Sequence, residues 1–364
     1  MKFICSKQNL LNGLQIVSKA VPNKTTMSIL ECILVEAKEG TIKFTANDME
    51  LGIETVIEGN ILEKGTIALD ARIFLDIVRK LPDNDVTIET DDSFKTIITC
   101  EKAKFTIIAK SGEDFSYLPS IEKNDCVVIS QYTLKEVVRQ TIFSIADNDT
   151  NKIMTGELFD INVVSLDGHR ISIRKIDLKN EYTPKKVIVP GKTLNEISKI
   201  LPGDADKDVN IFFTQKHILF EFENTVVVSR LIEGEYFKIE QMLSSDYETK
   251  VRINKKEFLS CIDRATLLVK EGDKKPIIIT IGDGSMELKI NSIIGSMNEE
   301  IDIEKSGRDM MIGFNPKFLI DALRVIDDEE IDIYLVNPKA PCFIKDATES
   351  YIYLILPVNF TTVS

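Results

Sequence analysis

Leu10, Leu134 and Phe258 follow one another at intervals of 124 residues, each at the same place in a stretch of helical periodicity. These stretches cover 6–21, 133–145 and 255–269. A second helical set begins at Ala71, Gly191 and Pro316. In its first member Phe74, Ile77, Val78 and Leu81 fall at i, i+3, i+4 and i+7, one face of a helix. Leu319, Ala322, Leu323 and Ile326 repeat that spacing, and Leu194, Ile197 and Leu201 do so with Ser198 in the fourth place. The charges repeat as well: Arg72, Lys192 and Lys317 are equivalent, as are Asp76, Glu196 and Asp321, and Arg79, Lys199 and Arg324. Three matching positions in three copies constrain the chain to a duplicated folding unit.

Alternating, β-branched stretches fill the space between the helices. In the first copy they predict strands over 30–36, 41–46, 50–57, 86–90, 94–100 and 104–110. The copies also end alike: Gly112-Glu113-Asp114-Phe115 in the first, Gly234-Glu235-Tyr236-Phe237 in the second, and Leu354 through Val358 in the third. Linkers are expected near 112–128 and 234–250, which gives domains 1–124, 125–246 and 247–364. Each is of ordinary domain size, whereas 364 residues exceed one ordinary core. Each copy reads as α+β, two helices packed on roughly eight strands.

The formal charge is −13, which on its face argues against a phosphate-binding surface. Its placement argues otherwise. The six helical stretches hold 14 Lys and Arg against six Asp and Glu, a surplus of eight, so the rest of the chain carries −21. Two readings of the helical cations stay open. Basic-acidic-basic spacing at i, i+4 and i+7 stabilises any exposed helix by a few tenths of a kcal/mol. Its recurrence, on an acidic body, also suits sequence-blind contact with phosphates.

Several chemistries are disfavoured. The six cysteines, Cys5, Cys32, Cys100, Cys126, Cys261 and Cys342, form no CxxC pair, and two histidines, His169 and His217, are too few for a multi-histidine metal site. Pro190-Gly191-Lys192-Thr193 resembles the end of a P-loop, but Lys186 stands where its first Gly is needed. Asp204, Asp206 and Asp208 open like a calcium loop, but Val209 and Gln215 replace its Gly and closing Glu. No catalytic arrangement of Ser, His, Asp or Cys can be defended, so the expectation is a non-enzymatic protein without cofactor or metal. No apolar run approaches the roughly 18 residues of a membrane span. Lys2, Ser6, Lys7, Gln8 and Asn9 interrupt the apolar stretch a signal peptide needs, and the expected compartment is the cytoplasm.

Ser165-Leu166-Asp167-Gly168-His169-Arg170-Ile171-Ser172 reads first as strand, turn and strand with Asp-Gly at the turn. Together with the three α+β copies, the Asp-Gly-His-Arg segment in the middle copy, Arg72 through Pro82, Gly112 through Pro119, and Tyr353-Leu354-Ile355-Leu356-Pro357 near the end, it resembles the bacterial β sliding clamps, the β subunits of DNA polymerase III. The resemblance covers the whole chain. It implies a head-to-tail homodimer of about 82 kDa, twice the chain's 41.1 kDa, with six domains in a ring whose helices line the hole around double-stranded DNA. It implies that a clamp loader opens the ring. The replicative polymerase and repair factors then dock through short linear peptides. A non-encircling scaffold displaying the same peptide site is the alternative, and an enzyme on a duplicated fold comes third.

Carried over by position, the peptide pocket falls on Met154, Leu166, Gly168, His169, Arg170, Ile171, Phe237, Gln241, Met242, Leu354, Leu356 and Pro357. Leu166 stands where the family has a small residue, Phe237 where Pro is common, and Gln241 where Arg is common. Met154 and Met242 would adapt to several ligands, and Gly168 would leave room for a close backbone. His169 and Arg170 would supply polar edges, although a structural role for His169 is equally open. The DNA contacts implied are Lys24, Arg72 and Lys152, with Lys192 and Lys317, and then Arg79, Lys199 and Arg324, added through the internal repeat. The dimer interface implied is Phe105 and Ile107 on one end against Leu267 and Leu268 on the other.

Overall fold

In a computed structural model of the chain, residues 1–360 are described except 39, 148–149, 161, 177, 179, 181, 245 and 270–274. The first copy runs β1 (Lys2–Ser6), α1 (Lys7–Val17), β2 (Cys32–Lys38), β3 (Thr41–Asn47), β4 (Leu51–Ile57), β5 (Asn60–Glu63), β6 (Gly65–Asp70), α2 (Ala71–Lys80), β7 (Asp85–Thr90), β8 (Lys95–Cys100), β9 (Ala103–Ile108) and β10 (Lys110–Ser111). The second runs β11 (Val127–Ser130), α3 (Gln131–Thr141), β12 (Gly156–Phe159), β13 (Asn162–Leu166), β14 (Arg170–Lys175), β15 (Val187–Pro190), α4 (Gly191–Ile200), β16 (Asp208–Phe213), β17 (His217–Phe222) and β18 (Thr225–Arg230). The third runs β19 (Thr249–Asn254), α5 (Lys255–Thr266), β20 (Ile277–Ile281), β21 (Ser285–Ser292), β22 (Gly295–Asp302), β23 (Glu304–Gly307), β24 (Met310–Phe314), α6 (Pro316–Val325), β25 (Glu330–Leu335), β26 (Cys342–Lys345) and β27 (Tyr351–Ile355).

The helix starts have a local cause that also repeats. Ser6, Ser130 and Asn254, again 124 residues apart, cap the first helix of each copy: their side chains accept from the amides of Asn9 at 3.2 Å, Thr133 at 3.0 Å and Glu257 at 3.1 Å. A cap of this kind contributes about 1 kcal/mol. Asp70 and Asn315 cap α2 and α6 in the same way.

Packing gathers the chain into two compact units, and the middle copy contributes to both. One holds residues 1–134, 178–183 and 196–231, the other 135–177, 184–195 and 232–364. The sheets explain this division. In the first unit a nine-stranded sheet runs β10-β6-β2-β3-β4-β18-β17-β16-β11, so β4 of copy one pairs with β18 of copy two, Ile53 opposite Val227. In the second unit a nine-stranded sheet runs β15-β12-β13-β14-β27-β26-β25-β19-β23, and β14 of copy two pairs with β27 of copy three, Ile171 opposite Leu354. A smaller sheet completes each unit: β5-β1-β7-β8-β9 in the first and β22-β21-β20-β24 in the second. The continuous 104–110 strand expected from sequence is broken. The chain turns at the buried Ala109, leaving β9 in the small sheet and β10 in the large one.

In the first unit α1 and α2 bury Leu10, Leu14, Phe74 and Val78 between the two sheets, with Phe44 edge-on to Phe74 at 6.4 Å. In the second, α5 and α6 do the same with Phe258, Ile262, Leu319 and Leu323. Both units pin their helix pair identically. Lys7 Nζ donates to the Leu81 carbonyl at 2.6 Å, and Lys255 Nζ to that of Ile326. These two lysines, counted above with the helical cations, therefore hold helix ends rather than face outward. Gln131, at the equivalent place in the second copy, is fully buried.

Candidate functional site

β27 explains where an apolar cavity can form. Its residues alternate between two cores: Tyr351, Tyr353 and Ile355 face the helices, while Ile352 and Leu354 face the opposite side of the sheet. A strand covered on both faces reads as the unbroken apolar run seen in the sequence. On that second face Val164, Leu166, Ile171, Ile173, Phe343 and Leu354 form a cluster, and the segment after β18 crosses it with Tyr236, Phe237, Ile239 and Leu243. Tyr236 anchors the crossing by donating its hydroxyl to the Val164 carbonyl at 3.1 Å.

Beside this crossing lies a cavity of about 410 Å³, well inside the range of ligand sites. Met154, Leu166, Gly168, His169, Arg170, Ile171, Phe237, Met242, Leu354 and Leu356 line it, so the structure brings together most of the set expected from sequence. Gln241 is exposed nearby but does not line it, and neither does Pro357. Pro341, just before β26, lines the cavity and was not anticipated, since no periodicity or motif marks it. Met242 and Leu356 are 42% and 37% exposed, so apolar surface is open to a ligand.

The expected Asp-Gly centre of the turn needs correction. Gly168 itself faces open space, a Cβ there meeting nothing within 4 Å, so room for a close backbone is left. Its φ of +86° is the reason for glycine, since other L-residues strain there. The turn centres on Gly168-His169, because the Asp167 amide donates to the Arg170 carbonyl at 3.3 Å. Asp167 Oδ1 accepts from the amides of His169 at 2.9 Å and Arg170 at 3.2 Å, closing the loop.

Arg170 is turned inward. Nε donates to Asp167 at 2.9 Å, Nη1 to Asp321 at 2.7 Å, and Nη2 to the Phe143 carbonyl. Its guanidinium lies over the Phe318 ring at 4.6 Å, and His169 meets the same ring at 5.9 Å. Phe318 and Asp321 are thus neighbours of the site that sequence reasoning assigned elsewhere or passed over. Deeper, Glu157 on β12 is fully buried with the Thr141 hydroxyl at 3.2 Å, and burial pushes its carboxyl up to about 8. Tyr236 is likewise raised, first by burial and then by Glu157.

The candidate cations are all exposed: Lys24, Arg72, Arg79 and Lys199 in one unit, Lys152, Lys192, Lys317 and Arg324 in the other. Lys24, Arg72, Lys152 and Lys317 form no ion pair among the described residues. Arg79 pairs with Asp76 at 3.5 Å, Lys199 with Glu196 at 2.8 Å, and Arg324 with Asp263 at 3.3 Å. The helix-stabilising reading therefore applies within α2 and α4, while α6 departs from it. Among the described residues no cluster of His, Cys, Asp and Glu is placed to hold a metal ion, and no helix is long and apolar enough to cross a membrane.

The two small sheets end in bare edges. β9 leaves Phe105 39% and Ile108 73% exposed, with Ile107 half-buried. β22 edges the other small sheet, and the hairpin before it exposes Ile293 and Ile294. Leu267 is 77% exposed, whereas Leu268 packs against the core, its side chain next to Gly295 at the start of β22.

Models of three consecutive domains match the chain: the N-terminal domain of the DNA polymerase III beta subunit over residues 1–119, the central domain over 128–238 and the C-terminal domain over 240–359. The chain belongs to the DNA polymerase III beta subunit family. Beta sliding clamps of Staphylococcus epidermidis and Staphylococcus aureus are 33% and 34% identical to it, over 99% of both chains in each case. A putative DNA polymerase III beta subunit from Eubacterium rectale, solved as a crystal structure, superposes with a TM-score of 0.96 at 73% identity, over 99% of this chain and 100% of that one. The DNA polymerase sliding clamp from Bacillus subtilis gives 0.95 at 33% identity, over 99% of this chain and 100% of that one. The chain is thus a DNA sliding clamp, a processivity factor built of three tandem α+β clamp domains. Membership implies a homodimer that tethers a DNA polymerase as its accessory subunit.

Proposed function

We propose that two copies close head to tail into a ring around duplex DNA, β9 of one protomer pairing with β22 of the other so that the small sheets run on across the joint. What supports this reading is the pair of bare edges. An exposed apolar edge strand is a liability unless something pairs with it. The edges are also complementary in charge, with Lys102 and Lys104 on or beside β9 and Glu300 and Asp302 on β22, all exposed. Phe105, Ile107, Leu267 and Leu268 would be covered there, and we add Ile108, Ile293 and Ile294. Domain limits of 1–124, 125–246 and 247–364 would place one joint at each end of the chain.

In this reading Lys24, Arg72, Arg79, Lys152, Lys192, Lys199, Lys317 and Arg324 contact the phosphates without reading sequence. The 410 Å³ cavity takes the apolar anchors of short peptides from the replicative polymerase, the clamp loader and repair factors. Such a protein works on the bacterial chromosome, in the cytoplasm. A scaffold that never closes would leave both edges bare in solution. Light scattering at micromolar concentration separates the two: a ring gives about 82 kDa, twice 41.1 kDa, and a 41 kDa species would sink it. Leu267→Ala with Leu268→Ala should shift the mass toward monomer. Because Leu268 also packs inside its own unit, Leu267→Lys is the cleaner interface variant.

A further inference from the structure

α6 breaks the charge pattern of its two sister helices. In α2 and α4 the middle carboxylate bonds the cation one turn on, Asp76 to Arg79 and Glu196 to Lys199. In α6 Asp321 ignores Arg324 and reaches Arg170 at 2.7 Å. Only 7% of the Arg170 side chain and 20% of that of Asp321 remain exposed, so water screens this pair poorly. The pair is one link in a chain. Asp321 holds one arm of the guanidinium, the Nε edge holds Asp167, and Asp167 closes the Gly168-His169 turn by accepting from the amides of His169 and Arg170. Phe318, one turn before Asp321 on the same helix, supports the ring of His169 and the flat face of Arg170. The turn in turn receives Leu356, whose amide donates to the His169 carbonyl at 2.9 Å.

We infer that Asp321 is a positioning residue for the peptide cavity, holding the Asp167–Arg170 turn in its ligand-ready shape from a helix whose exposed cations, Lys317 and Arg324, serve DNA. This rests on the reading of the cavity as a peptide site. Removing the carboxylate leaves Arg170 buried with an arm unpaired, which is costly. The turn is tied to that guanidinium through Asp167, so it is where the arrangement relaxes. Asp321 touches no ligand and acts through Arg170.

The test is a fluorescence titration with a synthetic Gln-x-x-Leu-Phe peptide. Asp321→Asn should weaken binding about tenfold or more, about 1.4 kcal/mol, at unchanged dimer mass, and Asp321→Glu, which keeps the charge, should recover most of it. Leu356→Lys with Met242→Lys is run beside them. If that double variant loses the peptide while Asp321→Asn binds within about twofold of the parent, the cavity stands and the positioning role is overturned. If the double variant also binds, the peptide-site reading falls and this inference with it. Should Asp321→Asn fail to fold, amide exchange on the unaltered protein decides. Protection of His169 and Arg170 without peptide supports the inference. Protection that arises only on adding peptide overturns it.

Discussion

The amide of Leu356 donates to the carbonyl of His169 at 2.9 Å, one step beyond the last residue of β27. That bond joins two stretches of chain nearly two hundred residues apart into one rim of the cavity. Pro357 follows and has no amide to offer, so the ladder ends there and leaves the Leu356 side chain at the surface.

Leu356→Lys with Met242→Lys puts two charges among the most exposed apolar groups of the rim. A few buried anchors usually carry most of the energy of such an interface. The expected outcome is loss of peptide binding by at least about a hundredfold, near 2.7 kcal/mol, in a fluorescence titration. Unchanged affinity would place docking elsewhere.

The cations should not contribute equally. Lys24, Arg72, Lys152 and Lys317 form no ion pair among the described residues, whereas Arg79, Lys199 and Arg324 are paired on the protein. Arg72→Ala and Lys317→Ala should each lower the salt dependence of DNA binding by about one counterion. Arg79→Ala and Lys199→Ala should lower it less, because they free Asp76 and Glu196 at the same time. Equal effects from all four, read as slopes of affinity against salt, would contradict this ranking.

Glu157 predicts an unusual pH dependence. Its folded pKa of about 8 lies above the unfolded value of 4.5, so its contribution is fully present below pH 4.5 and is lost as pH rises through 8. Glu157→Gln keeps the shape and removes the titration. The variant should gain on the parent by about 4 kcal/mol between pH 5 and 9, at about 1.4 kcal/mol per unit up to the folded pKa. Parallel denaturation curves for the two proteins across that range would show that the carboxyl does not titrate.

Much of this was legible in the sequence because it repeats. The starts of α2, α4 and α6 at Ala71, Gly191 and Pro316 follow from apolar spacing alone. The short strands β1, β5 and β6 were missed, since Lys2–Ser6 reads as a helix lead-in and Asn60–Glu63 is mostly exposed. Most of the cavity followed from resemblance. Pro341 did not, because its place depends on where a loop between β25 and β26 lands. The direction of a long side chain was also hidden: Lys7, Lys255 and Asp321 count as surface charges in a sequence, and tertiary contacts turn them to helix ends and to Arg170.

The central claim is that the protein holds DNA by enclosing it, with direct affinity that is weak and falls with salt. The measurement is retention after loading, compared at moderate salt on closed circular DNA and on the same DNA cut once. Enclosure predicts that the protein stays on the circle and slides off the free ends of the cut molecule. Equal retention on both would contradict it.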